Sequence, residues 1–453
     1  MNSELKPLVR LSLPLIVINL GYQTMSLVDT ALAGRLDELS LAAVGLGSMV
    51  FFLGAVFGIG VSAGVDPLAS QALGAGRFRD ARRAMWQGIY GGLLILLPVA
   101  GFILTVAYSL EWMGIEPQLA ARTRLYIWGR LLSLPPLFTL MAVRAYLQAA
   151  HYPRPIVVAT LAANVFNLVA NWLLIWGDEG LVSLGLPAVG LPALGVLGIG
   201  LATGIATISQ LLILVKPLSS LDPGPGEGPV AKPDRLRLRR HFSLGLPIGF
   251  QLMGEMGIFA AVGILAGTLG TLTMAAHQTA IQLAAFTFMI PLSIGEATSV
   301  QVGRAVGRRD TPSARWAGFS GILMGGGVMF FAALFMWIFP QTLAGLITTE
   351  REVIELASGL IIVAGFFQIF DGIQAVSSGC LRGAGMTRWA MLANVFCYWI
   401  IGFPAAFLMG LVLNWGARGL WWGLTAGLGM AALILSLKFA SVSRRPIAAL
   451  EST

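Results

Sequence analysis

Charge is what this 453-residue sequence has least of. Asp, Glu, Lys and Arg make up 11% of it, where soluble domains carry about 25%, and that excludes a large soluble domain. Histidine occurs three times and cysteine twice. Cys380 and Cys397 both lie in or beside apolar segments with no metal-ligand spacing, which argues against a disulfide framework and against a zinc site. HExxH, GxSxG and Walker-type motifs are missing, so the sequence carries none of these signatures of enzyme or nucleotide chemistry. What is abundant is apolar: 57% hydrophobic residues together with 56 glycines, the composition of helices packed against one another in a bilayer. The net charge of +8 then reads as basic loops facing an anionic cytoplasmic leaflet and not as a nucleic-acid surface.

A membrane-spanning helix needs about 20 mainly apolar residues. Twelve segments qualify, near 9–33, 41–70, 84–108, 122–147, 155–177, 192–215, 243–268, 272–302, 315–340, 353–380, 388–412 and 418–440. The predicted fold class is an all-α integral membrane protein of twelve transmembrane helices. The first span is too long for a cleaved signal and lacks a small-residue cleavage site. An even count puts both termini on one side, and the basic residues say which. With the N-terminus in the cytoplasm, only Arg35, Arg122, Arg124, Arg130, Arg351 and Arg418 of the 29 Lys and Arg fall on the opposite face. The stretch SSLDPGPGEGPVAKPDRLRLRR is long, polar and rich in Pro and Gly, and reads as a flexible cytoplasmic linker. The expected organisation is a six-helix lobe over 1–215, the linker over 216–240, a second six-helix lobe over 241–442 and a cytoplasmic tail over 443–453.

The halves repeat. A shift of 233 residues lays LDELSLAA (36–43) on LGTLTMAA (269–276) and Pro14 on Pro247. A shift of 230 lays Gln71 on Gln301 and ANVF (163–166) on ANVF (393–396), and GIGLATG (198–204) resembles WWGLTAG (421–427). Matches in the same order mark a duplication. Six helices per half make both halves enter from the same side, so the lobes are related by a pseudo-two-fold axis along the membrane normal. That is a known frame for alternating access.

Five acids fall within spans: Asp29, Asp66, Glu255, Glu296 and Asp371. An acid at a helix centre costs roughly 2.5–3.5 kcal/mol on insertion scales, so each needs a partner, a water-filled cavity or a proton. No Lys or Arg is expected mid-span near Asp29, Glu255 or Asp371, and these three are the functional candidates. Asp66 and Glu296 align with each other near the cytoplasmic ends of the second and eighth spans, within reach of Arg77, Arg304 and Arg308. They read as a symmetric inward gate or helix-end charge pair. Glu255 and Asp371 have no acidic counterpart in the first half, and Asp29 has Val262 as its own, so the repeat is chemically asymmetric. Asn164, Asn167 and Asn171 share one face of the fifth span, and Gln278, Gln282 and Phe286 make a stripe on the eighth. Phe367 stands one turn before Asp371, flanked by Gln368 and Gln374. Beside these acids the stripes read as cavity lining.

These residues sit in a recognisable set of motifs. SLPLIVINLGYQTMSLVDTALAGRL with its VDT-x-x-AG core, SQALGAGR, AAHQ, PLSIGEATSVQVGRAVG and FFQIFDGIQAVSSGCLRGAG follow one another across essentially the whole chain. Together they resemble the multidrug and toxic compound extrusion (MATE) family, in its NorM-type branch. The resemblance implies two lobes around a central cavity and export of cationic, amphipathic compounds in exchange for Na⁺ or H⁺. It also implies roles. Glu255 and Asp371 match the acids linked to cation coupling and would be the ligands of Na⁺. Asp29 matches the first-helix acid linked to proton or substrate binding, with Asn167 and Asn171 beside it, and Gln278 matches the glutamine of AAHQ. Two positions depart from the pattern: relatives can carry tyrosine where Phe367 stands and cysteine where Ile199 stands. The implied partners are organic cation drugs, a monovalent coupling cation and the lipid bilayer of the inner membrane. No nucleic acid and no cofactor beyond the ion are expected, and the chain would work as a monomer with both termini cytoplasmic.

Other readings compete. A lipid-linked substrate flippase shares the two-lobe ancestry, but such relatives usually place cationic residues in the cavity for pyrophosphate. A membrane-embedded enzyme needs a reactive triad or metal cluster. A major-facilitator transporter also has twelve spans, yet its basic signature after the second helix is not recognisable in GAGRFRDARR. For antiport, two chemistries suit Glu255 and Asp371: a hard cation held by several oxygens, or a proton carried by a desolvated acid.

Overall fold

A computed structural model describes residues 2–183, 185–221 and 230–450, and every regular element in them is helical. Eleven spans are long and apolar enough to cross a bilayer, and a bent pair of helices makes a twelfth. In chain order they are Lys6–Gly34, Glu38–Gly74, Phe78–Ser109, Pro117–Leu131 with Leu134–Ala149, Arg154–Trp176, Val196–Ser220, Arg235–Thr268, Thr271–Gly307, Thr311–Ile338, Arg351–Gly383, Thr387–Val412 and Gly416–Val442. Helices are the expected solution, because hydrocarbon leaves the backbone no partners but its own. Between spans the caps are built in. Asp37 accepts from the Ser40 amide at 2.6 Å and Asp310 from that of Ser313 at 3.1 Å, each starting a span. The Arg122 guanidinium, 2.6 Å from Asp37, and then the Ser40 amide hold the Asp37 carboxyl below its ordinary range.

The duplication is visible in local detail. Asn164 and Asn394, the asparagines of the two ANVF copies, each donate to the carbonyl four residues back, Thr160 at 2.9 Å and Ala390 at 3.0 Å. The first and seventh spans each carry an internal proline, Pro14 and Pro247.

Compactness divides the chain differently from the expected lobes at 1–215 and 241–442. One unit, here the Asp29 unit, holds Val17–Val65 and Phe78–Gly249. The other, the Asp371 unit, holds the chain up to Ile16, Asp66–Arg77 and the chain from Phe250 on.

Within the Asp29 unit, the second and seventh spans meet at paired glycines. A Cβ on Gly60 would lie 2.5 Å from Gly249 Cα, and one on Gly64 would lie 2.8 Å from Gly245 Cα. The expected flexible linker needs correction where it is described. The sixth span continues to Ser220 and the seventh begins at Arg235, while residues 222–229 lie outside the described residues. Ala231 and Lys232 are held by Tyr90 Oη at 2.8 Å and Gln87 Nε2 at 2.9 Å, and Arg237 pairs with Asp80 at 3.1 Å. Side chains of the third span thus hold residues 231, 232 and 237, on the C-terminal side of that stretch.

Within the Asp371 unit, Asp66–Arg77 is docked by side chains on both of its sides. Asp66 Oδ2 accepts from Ser299 Oγ at 2.7 Å, and Gln71 Nε2 donates to the Gly383 carbonyl at 2.8 Å. The tail folds back onto the same segment: the Leu450 amide donates to Gln71 Oε1 at 2.7 Å. Residues 451–453 of the expected tail lie outside the described residues.

Candidate functional site

The Asp29 unit buries its acid among donors. Asp29 and Arg130 have side chains only 3% and 12% exposed, with Arg130 Nη1 3.3 Å from Asp29 Oδ2. This corrects the expectation that no basic residue stands mid-span near Asp29. The reason lies in the fourth span, which bends by 47° between Leu131 and Leu134. Pro135 and Pro136 follow the break, and proline cannot donate to the preceding turn. Ser133 Oγ compensates by donating to the Arg130 carbonyl at 2.6 Å. Arg130 therefore occupies the last turn of a helix that ends inside the span, where the helix dipole favours a cation.

Close approach brings the sixth span to it. A Cβ on Gly129 would lie 2.6 Å from the Leu197 carbonyl, and one on Gly200 2.5 Å from that of Tyr126. Small residues at this crossing let Thr203 reach both charges, donating to Asp29 Oδ2 at 2.8 Å and accepting from Arg130 Nη1 at 2.9 Å. From the fifth span, Asn167 and Asn171 donate to Asp29 Oδ1 at 3.1 and 2.7 Å. Asn164, on the same stripe, bonds its own helix instead. The carboxylate thus accepts from three neutral donors and one cation. Arg130 also lies 5.0 Å from the Phe51 ring centroid and 3.3 Å from Tyr126 Oη, which is 3.0 Å from Ser48 Oγ. Its Nε and Asn171 Oδ1 are buried without a hydrogen-bond partner among the described residues.

The Asp371 unit treats its acids in the opposite way. Asp371 is buried and Glu255 half-buried, and the two carboxylates lie close enough to feel each other's charge. Neither makes a hydrogen bond or ion pair among the described residues, although the field of Arg382 reaches Glu255. Tyr398 feels both acids, and its buried hydroxyl has no hydrogen-bond partner among the described residues. It stands in the π-helical stretch Phe396–Gly402, the kind of local widening that recurs at functional positions. One turn beyond Asp371 begins a neutral network. Ser378 Oγ receives Gln251 and Gln374 at 3.4 Å and Asn394 at 3.2 Å, and Gln374 Nε2 donates to Asn394 Oδ1 at 2.8 Å. Gln374 Oε1 is left without a partner among the described residues. Among the described residues no three His, Cys, Asp or Glu side chains converge. An ion here would have to draw on two carboxylates and neutral oxygens, and the unpartnered oxygens of Tyr398 and Gln374 fit a hard cation.

The other sequence candidates separate. Gln278, Gln282 and Phe286 are all exposed and define one open face of the eighth span. Amide side chains are costly against lipid tails, so this face suits an aqueous lining. Phe367 does not line a cavity: it is 2% exposed and edge-on to Phe259 and Trp421, in the core. Ile199 is likewise fully buried. Asp66 holds Ser299 as described, and Glu296 lies half-buried one turn before it. Sequence reasoning missed Arg130 as a partner of Asp29, and with it Thr203, Tyr126 and Tyr398. A lone arginine two residues after a tryptophan and just before a Pro-Pro break was the available signal.

A family model described as MatE matches residues 14–173 and again 247–408. The two matches start 233 residues apart, which is the displacement of the internal repeat. Over 447 residues the chain is 33% identical to the probable multidrug resistance protein NorM of Pseudomonas putida, covering 97% of this chain and 94% of that one. Over 446 residues it is 34% identical to the probable multidrug resistance protein NorM of Bradyrhizobium diazoefficiens, covering 96% and 93%. Its fold is similar to the crystal structure of the eukaryotic MATE transporter AtDTX14, with a TM-score of 0.85 at 21% identity and 98% of both chains covered. The Vibrio cholerae MATE transporter VcmN in its bent form gives 0.80 at 20% identity, with 98% of both covered.

Proposed function

The chain belongs to the MatE family, and on that premise we propose that it is a multidrug efflux transporter of the inner membrane. It exports cationic, amphipathic compounds in exchange for Na⁺ or H⁺, with both termini in the cytoplasm. The observation that carries the antiport reading is the pair Glu255 and Asp371: two acids sharing one unit, with no hydrogen bond or ion pair to either among the described residues. Two carboxylates that feel each other's charge favour a cation or a proton at the pair. Its arrival neutralises the pair and disfavours an organic cation, and its departure restores the negative charge that attracts one.

The flippase reading loses support from the same geometry. Of the arginines buried in the fourth span, Arg130 is engaged by Asp29, and Arg144 donates to Asn19 Oδ1 at 2.8 Å while lying over the Tyr22 ring. Neither is set aside for a pyrophosphate.

The test is efflux of a fluorescent organic cation from proteoliposomes under an imposed Na⁺ gradient, and separately under a proton gradient. One of the two should drive it, and Glu255→Gln or Asp371→Asn should abolish the driven component while the protein stays folded. Efflux that responds to neither gradient, or a wild-type rate in Asp371→Asn, refutes antiport through this pair.

A further inference from the structure

The surroundings of Asp29 already have the parts of a cation site: a carboxylate, neutral hydrogen-bonding groups from Asn167, Asn171 and Thr203, and the face of Phe51. Arg130 is sitting in it. We propose that Arg130 is a tethered stand-in for the transported cation, holding Asp29 until an organic cation displaces it, and that it thereby sets which cations this lobe accepts. The inference rests on the export reading above and names a specificity-determining residue within it.

The geometry of the pair favours exchange over permanence. Charge-assisted N–H···O contacts run near 2.7–2.9 Å, and arginine pairs with carboxylates best through two parallel bonds. Arg122 and Asp37 in the same unit are closer, with Nη1 at 2.7 and 2.6 Å from the two carboxylate oxygens. Arg130 reaches Asp29 with a single nitrogen at 3.3 Å, and shares that nitrogen with Thr203 and Tyr126. Its Nε is buried and unused. The remaining ligands of Asp29 are shorter and come from other spans, so they stay in place when the guanidinium leaves. Phe51 offers an incoming cation the same ring face that Arg130 now occupies.

An intramolecular competitor lowers apparent affinity by the strength of its own contact. A hydrogen bond between charged groups is worth about ten- to a hundredfold in an equilibrium constant. The test is equilibrium binding of ethidium to the purified full-length protein at fixed pH, by fluorescence anisotropy. Arg130→Gln should tighten ethidium binding by about that factor, and the double variant Asp29→Asn/Arg130→Gln should lose the gain. If the wild type binds ethidium and a folded Arg130→Gln binds it equally or more weakly, the proposal is overturned. If the wild type neither binds nor exports any organic cation, the export reading itself fails.

Because removing one partner of a buried pair can unfold a protein, a second measurement uses the wild type alone. Ethidium saturation should raise the rate of phenylglyoxal modification at Arg130, read by mass spectrometry, since displacement frees the guanidinium. A rate that is unchanged or lower on saturation means that Arg130 stays on Asp29, and it overturns the proposal independently.

Discussion

Replacing Tyr398 by phenylalanine pulls apart what its hydroxyl costs and what it does. The side chain is 4% exposed, and its Oη has no hydrogen-bond partner among the described residues. A buried hydroxyl left in that state costs roughly 1–3 kcal/mol. With no ion bound, Tyr398→Phe should therefore raise stability by about that amount, a shift of a few degrees in the melting midpoint. The same oxygen faces the fields of Glu255 and Asp371 and is free to join an ion they hold. Its loss should then weaken ion binding by about tenfold, and each tenfold removes about 1.4 kcal/mol of ligand-induced stabilisation once the ion is in excess. The two effects have opposite signs in one variant. Thermal melts in detergent, without the coupling ion and then across a concentration series of it, read both. A midpoint below wild type without ion, or an ion-induced increment equal to that of the wild type, refutes the reasoning.

Three further perturbations test the rest of the architecture. Thr203→Val keeps the shape of the side chain but removes the hydroxyl that donates to Asp29 and accepts from Arg130; it should destabilise by about 1.5–3 kcal/mol, measured by the same melts. Gly200→Val places a Cβ 2.5 Å from the Tyr126 carbonyl and 2.7 Å from the Arg130 amide, so the fourth and sixth spans must part. It should lower the midpoint and weaken organic-cation binding together, whereas a loss of binding at unchanged stability would contradict the crossing described. Gln71→Leu removes the partners of both the Gly383 carbonyl and the Leu450 amide, at about 1–3 kcal/mol for the buried carbonyl left unpaired and less for the half-buried amide. Amide exchange at Leu450 should accelerate at least tenfold, and unchanged exchange would mean the tail is held by other contacts.

The spans were legible because hydropathy acts on every residue of a segment, and twelve runs of about 20 apolar residues leave little choice. The acids were legible for the complementary reason: a carboxylate in such a run stands out on cost alone. Their partners were not. Asp29 is joined by residues 101, 138, 142 and 174 positions away, and no periodicity within one helix carries that information. Arg130 falls on the outer face when the positive-inside count alone is applied to its span. The Pro135–Pro136 break turns the chain at mid-span and leaves the arginine inside. Phe367 erred the other way: one turn from Asp371, it shares the acid's face of the helix, yet it enters the apolar layer formed by Phe259 and Trp421. For the linker, composition describes only what a segment can do alone. It says nothing of Gln87 and Tyr90 waiting on another helix.

A duplicated scaffold would have put equivalent acids in both halves, and the observed chemistry departs from that in a way that divides the labour. At Asp29 the charge is already balanced by Arg130, so replacing one cation by another leaves the charge of that pocket unchanged. Such a step is selective but nearly blind to an ion gradient, because no net charge is gained or lost by the site. At Glu255 and Asp371 no ion pair balances the carboxylates among the described residues, so on the proposed antiport reading each arriving Na⁺ or proton would change the charge of the site by one unit. In a medium of effective dielectric near 20, one charge at 4 Å is worth about 4 kcal/mol. That is enough to bias a conformational equilibrium by close to a thousandfold. On the antiport reading proposed above, energy transduction would belong with Glu255 and Asp371, which have no ion pair among the described residues, and recognition with Asp29, which has Arg130.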